Sequence, residues 1–387
     1  MRKAKKIALI SVASLLILIL LGLLLFFILF PVTIKADYSL IVPFENNVAV
    51  FEINGTSAVA KIDEAGNITD EDFKIVAFAD THFDHHKQKV EVSFEMLMRN
   101  ISFTKPDLVV FMGDIVTSTF NRWRAKQLAE VMESFGVYWT LILGNHEGEH
   151  FTGLSRKNMI QFFSVYPHCL IDETVKYTSD GEVVWGYGNY YLNVLKSNGE
   201  VRQTLFFLDS GERVSEDAAK ELDISDHSYD FLKPSQIQWY KESVDALTST
   251  KSMVFCHIPL CEFADAYQDA LDGQEHATLV YGLLREEPKS SQYNSGMFDA
   301  ILEKDHTQAF ITAHDHCNDC IILYHGIYLG YCRTSGYSKY DPKTANEEGR
   351  FLQGCSIYTI DKDGNIAFNS IINDEHHDQS SAIALYK

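Results

Sequence analysis

Five short polar clusters each follow an apolar run: Asp80-Thr81-His82, Gly113-Asp114, Gly144-Asn145-His146-Glu147, His257 and His314-Asp315-His316. Imidazole suits iron and zinc, carboxylate suits harder ions such as manganese, and a mixed set suits two cations side by side. Two cations about 3.5–4 Å apart, bridged by a carboxylate, can hold a hydroxide between them and stabilise both oxygens of an in-line phosphoryl displacement. Glycine ahead of the second and third clusters lets the backbone turn sharply. A lone histidine at a strand end is usually structural. The ordered recurrence of five such clusters carries the weight.

The elements that must deliver these clusters are apolar runs at 73–79, 107–112, 138–143, 252–256 and 308–313, with a further strand at 203–208. Helical stretches fall at 88–104 and 122–135. The second puts Trp123, Leu128, Val131, Met132 and Phe135 on one side, with Gly136 closing it. This βαβαβ alternation predicts a layered α/β domain over 71–340, with ligands at the carboxyl ends of its strands. Before it, 37–70 reads as a small β extension broken at Asn54-Gly55 and Gly66-Asn67. Residues 210–235 and 262–300 read as loop-rich insertions that shape the site, and 341–387 as a C-terminal β extension turning at Asp361–Asn365.

The chain has 387 residues, 46% hydrophobic and 22% charged, which supports a sizeable core. Its net charge of −20 excludes nucleic acid as a bulk partner, because phosphate-backbone affinity comes from clustered Lys and Arg. The basic segment 1–6 (Arg2, Lys3, Lys5, Lys6) precedes an uncharged apolar run over 7–32, and no A-x-A cleavage site follows. These features predict one uncleaved N-terminal transmembrane helix, a cytoplasmic N-terminus and an extracytoplasmic catalytic domain.

Seven cysteines leave at least one free thiol. Cys317-x-x-Cys320 has no second pair at zinc-finger spacing, so a disulfide or buried apolar packing is expected of the cysteines. His85 and His86 read as surface residues of a loop tip, and His376-His377 as a solvated tail. The sequons at Asn54, Asn67 and Asn100 matter only in a eukaryotic secretory pathway.

The pattern D-x-H, G-D, G-N-H-E, H and H-x-H resembles that of the calcineurin-like metallophosphoesterases over about residues 73–340, in particular their purple-acid-phosphatase-like branch. Gly188–Leu192, Phe207–Gly211, Pro234–Trp239 and His257–Pro259 support the resemblance. It implies a four-layer α/β/β/α sandwich with a dimetal site on its rim. It assigns Asp80, His82 and His316 to one metal, Asn145, His257 and His314 to the other, and Asp114 to the bridge. His146 becomes the general acid at the leaving oxygen. Glu147 and Asp315 either orient the ligating histidines or stand in solvent. Arg333 either faces a substrate phosphate or forms a structural salt bridge. Two positions depart from the pattern: Ala313 replaces a glycine, and Thr117 replaces the tyrosine of true purple acid phosphatases, which argues against an iron–tyrosinate centre.

The reading that results is a membrane-anchored phosphoesterase using two manganese, iron or zinc ions and a metal-bridging hydroxide on a small phosphate ester, lipid- or envelope-linked esters included. A phosphomonoester is favoured. The alternatives are a phosphodiesterase, a nucleotide or lipid-head-group hydrolase, and a metal-binding scaffold without turnover. No protein partner can be inferred from the sequence.

Overall fold

The computed structural model describes residues 2–29, 37–53, 55–84, 86–119, 121–149, 152–247, 251–337, 353–373 and 383–384. His85, His376, His377 and the stretch 341–352 lie outside the described residues.

Two sheets carry the molecule. One is built from β1 (Val48–Ile53), β2 (Thr56–Lys61), β6 (Tyr190–Leu195), β7 (Val201–Leu208), β8 (Ser252–Cys256), β9 (Ala277–Tyr281), β10 (Thr307–Thr312), β11 (Ile321–Tyr324) and β12 (Ile327–Tyr331). Its order is β1-β2-β6-β7-β8-β10-β12-β11-β9. The other contains β3 (Phe73–Phe78), β4 (Leu108–Met112), β5 (Tyr138–Ile142), β13 (Gly354–Ile360), β14 (Ile366–Ile372) and β15 (Ile383–Ala384), in the order β15-β14-β13-β3-β4-β5. The strands β3, β4 and β5 run parallel, as do β7, β8 and β10. The N-terminal hairpin joins the larger sheet through β2 and β6, and β13 and β14 extend the smaller one beyond β3.

The central strands read as unbroken apolar runs because both their faces are covered. Leu205 and Phe207, Met253 and Phe255, and Ala309 and Ile311 pack into the core shared with the second sheet. The alternate residues Phe206, Val254 and Phe310 face Trp239 and Tyr240 of α6 (Pro234–Ala246), Phe263 of α7 (Glu262–Leu271) and Phe298 of α8 (Met297–Lys304). Phe94, Leu97 and Ile101 of α2 (Lys87–Thr104) and Leu128 and Met132 of α3 (Asn121–Phe135) pack on the smaller sheet, Met159 and Phe163 of α4 (Arg156–Ser164) join the same core, and a short helix, α5 (Glu216–Leu222), lies in the 210–235 insertion. The result is a mixed α/β sandwich with helices on its outer sides.

Three expectations change. Trp123 is 43% exposed, because the buried stripe of α3 runs through Arg124, Leu128, Val131 and Phe135, one position away. The 262–300 insertion holds α7, β9 and the start of α8 rather than loops alone.

The third is the membrane helix. An N-terminal helix, α1, spans Arg2–Leu29, and its side chains are described from Ser11 to Phe26. Among the described residues no helix is long and apolar enough to cross a membrane. That finding overturns the single-pass membrane placement.

Candidate metal centre

The parallel strands of both sheets end at one rim. Asp80 and His82 follow β3, Asp114 follows β4, and Asn145 and His146 follow β5; His257 follows β8, and His314 and His316 follow β10. Four of these residues have left-handed backbones: Asp80 (φ 51°), His82 (φ 42°), Asp114 (φ 49°) and His314 (φ 75°). The other non-glycine left-handed residues described lie at helix C-termini (Lys105, Asp223, Asp305) or in the β11–β12 hairpin (His325). Such conformations cost about 1–3 kcal/mol each and persist where surrounding structure enforces them. Glycine is required at two neighbouring points. A Cβ on Gly113 would lie 2.5 Å from His257 Nδ1, and one on Gly144 would lie 2.3 Å from Asp114 Oδ1. Ala313 is tolerated because its backbone is not left-handed and its amide donates to His257 O at 3.0 Å.

The side chains form two groups, Asp80 with His82 and His316, and Asp114 with His257 and His314. Within the first, His82 Nε2 and His316 Nε2 are 3.2 Å apart, and His316 Nε2 is 3.4 Å from Asp80 Oδ1. Asp114 Oδ2 joins the groups. It lies 3.6 Å from His82 Nε2, 3.5 Å from His257 Nε2 and 3.8 Å from His146 Nε2. Asn145 Oδ1 completes the second group, 3.1 Å from His257 Nε2.

The donor set fits divalent cations. His257 Nδ1–H donates to the carbonyl of Met112 at 2.7 Å, so the neutral ring carries a lone pair on Nε2. That lone pair faces the oxygens of Asn145 and Asp114, an arrangement of acceptors that calls for a positive charge among them. Asp80 Oδ1 and His314 Nδ1 are buried without a hydrogen bond among the described residues, as ligand atoms would be. Burial pushes Asp114 up, but His257, His82 and His146 outweigh it and hold the carboxyl well below its usual range. Burial, and then the charge of His257, hold His314 well below its ordinary value, so it stays neutral and able to ligate.

A family model described as calcineurin-like phosphoesterase matches residues 73–318. The chain belongs to this family. It is 30% identical over 315 residues to the Arabidopsis thaliana protein named probable inactive purple acid phosphatase 14, covering 70% of this chain and 72% of that one. It is 25% identical over 314 residues to probable inactive purple acid phosphatase 28 of the same plant, covering 73% and 75%. Among solved structures, a dimetal phosphatase from Danio rerio is similar at 14% identity and a TM-score of 0.45, covering 76% of this chain and 98% of that one.

Beside the two candidate metal-ligand groups, His146 faces the rim with a side chain 29% exposed. Its Nδ1 is held by Glu149 in a tight hydrogen bond, a residue that sequence reasoning missed. A carboxylate three residues on, in a turn, was the available signal. Among the described residues Glu147 hydrogen-bonds no histidine, and it does not stand in solvent. Its buried carboxylate accepts from the backbone amides of Asp114 (3.1 Å), Ile115, Val116 (3.3 Å) and Gly144 (2.6 Å), locking two site loops together. Asp315 likewise anchors a loop rather than a histidine, accepting from Tyr331 Oη at 2.7 Å and from Lys289 N at 3.1 Å. Burial pushes its carboxyl up to about 7, with Glu286 and Asp80 adding to the shift.

Arg333 is buried and paired with Asp319, which also binds Arg285, so its role is the structural salt bridge. His86 is exposed just before α2. Tyr229, which the sequence did not single out, packs edge-on against His314 with ring centroids 4.3 Å apart. All seven cysteines are free thiols and five are buried, which removes the disulfide expectation.

Proposed function

We infer that this chain is a metal-dependent phosphoric ester hydrolase whose preferred substrate is a phosphomonoester. One observation carries the reading: Asp114 Oδ2 lies within 3.6 Å of an imidazole nitrogen from each of the two groups, the position of a bridging ligand. Asp80, His82 and His316 would hold one cation, Asn145, His257 and His314 the other, with Asp114 shared; the mixed nitrogen and oxygen donors suit manganese, iron or zinc. Such a pair supplies Lewis acidity to the phosphoryl oxygens and lowers the pKa of bound water.

The remaining chemistry belongs to side chains. His146 presents Nε2 to the rim while Glu149 fixes its ring through Nδ1, so His146 is placed to hand a proton to the departing alkoxide. Glu147 keeps the loops of Asp114 and Asn145 in register by binding amides of both. The small phosphate ester enters from the side on which His146 is exposed.

The test is direct. The full chain is purified, its metals are measured by mass spectrometry, and an aryl monoester and an aryl diester are assayed against an Asp114→Asn control. About two metals per chain, with monoester turnover that the variant loses, is the expected result. Faster diester turnover transfers the reading to a phosphodiesterase. A second reading, a metal-binding relative without turnover, is raised by the names of the plant relatives. Bound metal with no turnover of a broad panel of esters would favour it.

A further inference from the structure

A cavity of about 690 Å³, within the range of small-molecule sites, is lined by residues that contact the loops of the candidate metal centre. Its wall includes Arg156, Asp209, Gly211 and Arg213. Two links tie this wall to the centre. Arg156 binds the carbonyl of Gly144, directly ahead of Asn145, and also pairs with Asp209. The Arg213 guanidinium lies 4.4 Å from the centroid of Tyr229, the ring that packs on His314. The wall is thus linked to a candidate metal ligand through one guanidinium and one aromatic ring.

Its lining is unusual for a protein surface. Trp185 is 39% exposed and Tyr187 45% exposed, on alternate residues of one segment. The edge of the Trp185 ring crosses Gly211, where a Cβ would come within 2.8 Å of it, and Lys233 Nζ lies 5.2 Å from the ring centroid. Partly exposed aromatic rings of this kind stack on planar groups. The same wall carries five basic and five acidic side chains, so it offers no net field for a further phosphate. Its carboxylates can accept hydrogen bonds from hydroxyl or amino groups instead.

We propose that this cavity binds the organic half of the ester, a neutral aromatic alcohol stacked on Trp185, while the phosphate sits at the metal centre. The proposal rests on the phosphoesterase reading above for the phosphate, but not for the cavity itself. A nucleoside and a simple arylalkyl alcohol share this chemistry, and the test separates them.

The first arm is independent of turnover. Adenosine, benzyl alcohol and ribose are titrated calorimetrically into the full chain, into Trp185→Ala and Trp185→Phe, and into Asp114→Asn. Adenosine, or adenosine and benzyl alcohol, should bind saturably while ribose does not. Trp185→Ala should weaken binding about tenfold, the usual order for loss of one stacking ring. Trp185→Phe should restore most of it, and Asp114→Asn should leave it intact. Adenosine alone points to a nucleoside, and both probes to aryl groups in general. Absence of saturable binding by either aromatic probe, or equal binding by Trp185→Ala, overturns the proposal. In the second arm, the ratio of kcat/KM for adenosine 5′-monophosphate to that for ribose 5-phosphate should fall about tenfold in Trp185→Ala. An unchanged ratio also overturns it. Should no ester turn over, the hydrolase reading fails while the binding arm still decides the cavity.

Discussion

His257 donates its Nδ1 proton to the carbonyl oxygen of Met112, 2.7 Å away and 145 residues distant in sequence. That bond commits Nε2 to the rim. Burial alone would lower the affinity of the ring for a second proton, but the Asp114 carboxylate outweighs burial and holds His257 up at about 9, against an ordinary 6.5. In the metal-free protein a proton therefore occupies the place of a cation. Because the folded-state value is raised, its contribution to stability is complete below 6.5 and is lost as pH rises through 9. The melting temperature of metal-free protein should fall across that window, and saturating manganese or zinc should remove the fall. Metal affinity should rise about tenfold per pH unit there, since binding displaces one proton. A flat melting curve from pH 6.5 to 9 without metal would contradict this account.

The tight contact between His146 and Glu149 yields a kinetic prediction. Glu149→Gln should lower kcat by about 10–100-fold, the usual effect of removing a carboxylate that orients a working histidine. The loss should be larger for alkyl esters, whose leaving alkoxide needs the proton, than for a nitrophenyl ester, which leaves without it. Equal losses on both substrates would mean that Glu149 acts by other means.

Glu147 ties the loops of Asp114 and Gly144 together through their backbone amides. Glu147→Ala would leave buried amide donors of Asp114, Ile115, Val116 and Gly144 without their acceptor. Each such loss costs about 1–3 kcal/mol, and water entering the cavity recovers part of the total. A destabilisation of about 3 kcal/mol or more, read by urea unfolding, is expected. A change below about 1 kcal/mol would show that the loops hold without it.

Thiol chemistry gives a fourth check. Burial pushes Cys256 and Cys332 up to about 12, and Cys169, Cys320 and Cys355 higher still. Raised values leave almost no thiolate at pH 8, and these five side chains are also inaccessible. Cys261 and Cys317 are raised too, Cys317 to about 11, but only these two are partly exposed, so iodoacetamide at pH 8 should modify them alone, and slowly, before unfolding, and all seven in urea. Mass mapping of the alkylated peptides reads the outcome.

The rim was legible because buried parallel strands are apolar along their whole length, so the first polar residues after β3, β4, β5, β8 and β10 announce themselves. What the sequence hid depends on contacts across the chain. Nothing local distinguishes Glu147, which binds amides, from a carboxylate that binds a histidine. Tyr229 matters only because the loop carrying it packs on His314. The helix α7 does repeat its apolar residues at helical spacing (Phe263, Ala266, Tyr267 and Ala270), whereas the edge strand β9 buries only Ala277 and Tyr281 and shows no period. Trp123 misled through periodicity: grouped with Leu128, Val131, Met132 and Phe135 it looks buried, but the buried stripe runs through Arg124 instead. The apolar N-terminal run likewise invited a placement that the described helix does not support.

Each group of candidate ligands draws on both sheets. Asp80 and His82 come from the smaller sheet and His316 from the larger; Asp114 comes from the smaller and His257 and His314 from the larger. An ion in either group would therefore be a clasp across the sandwich, and the packing of Phe207, Phe255 and Tyr358 between the sheets would be the ruler that sets the gap between the two ions. Reshaping that apolar filling should retune how closely the ligands from the two sheets approach each other, and hence the chemistry at the rim.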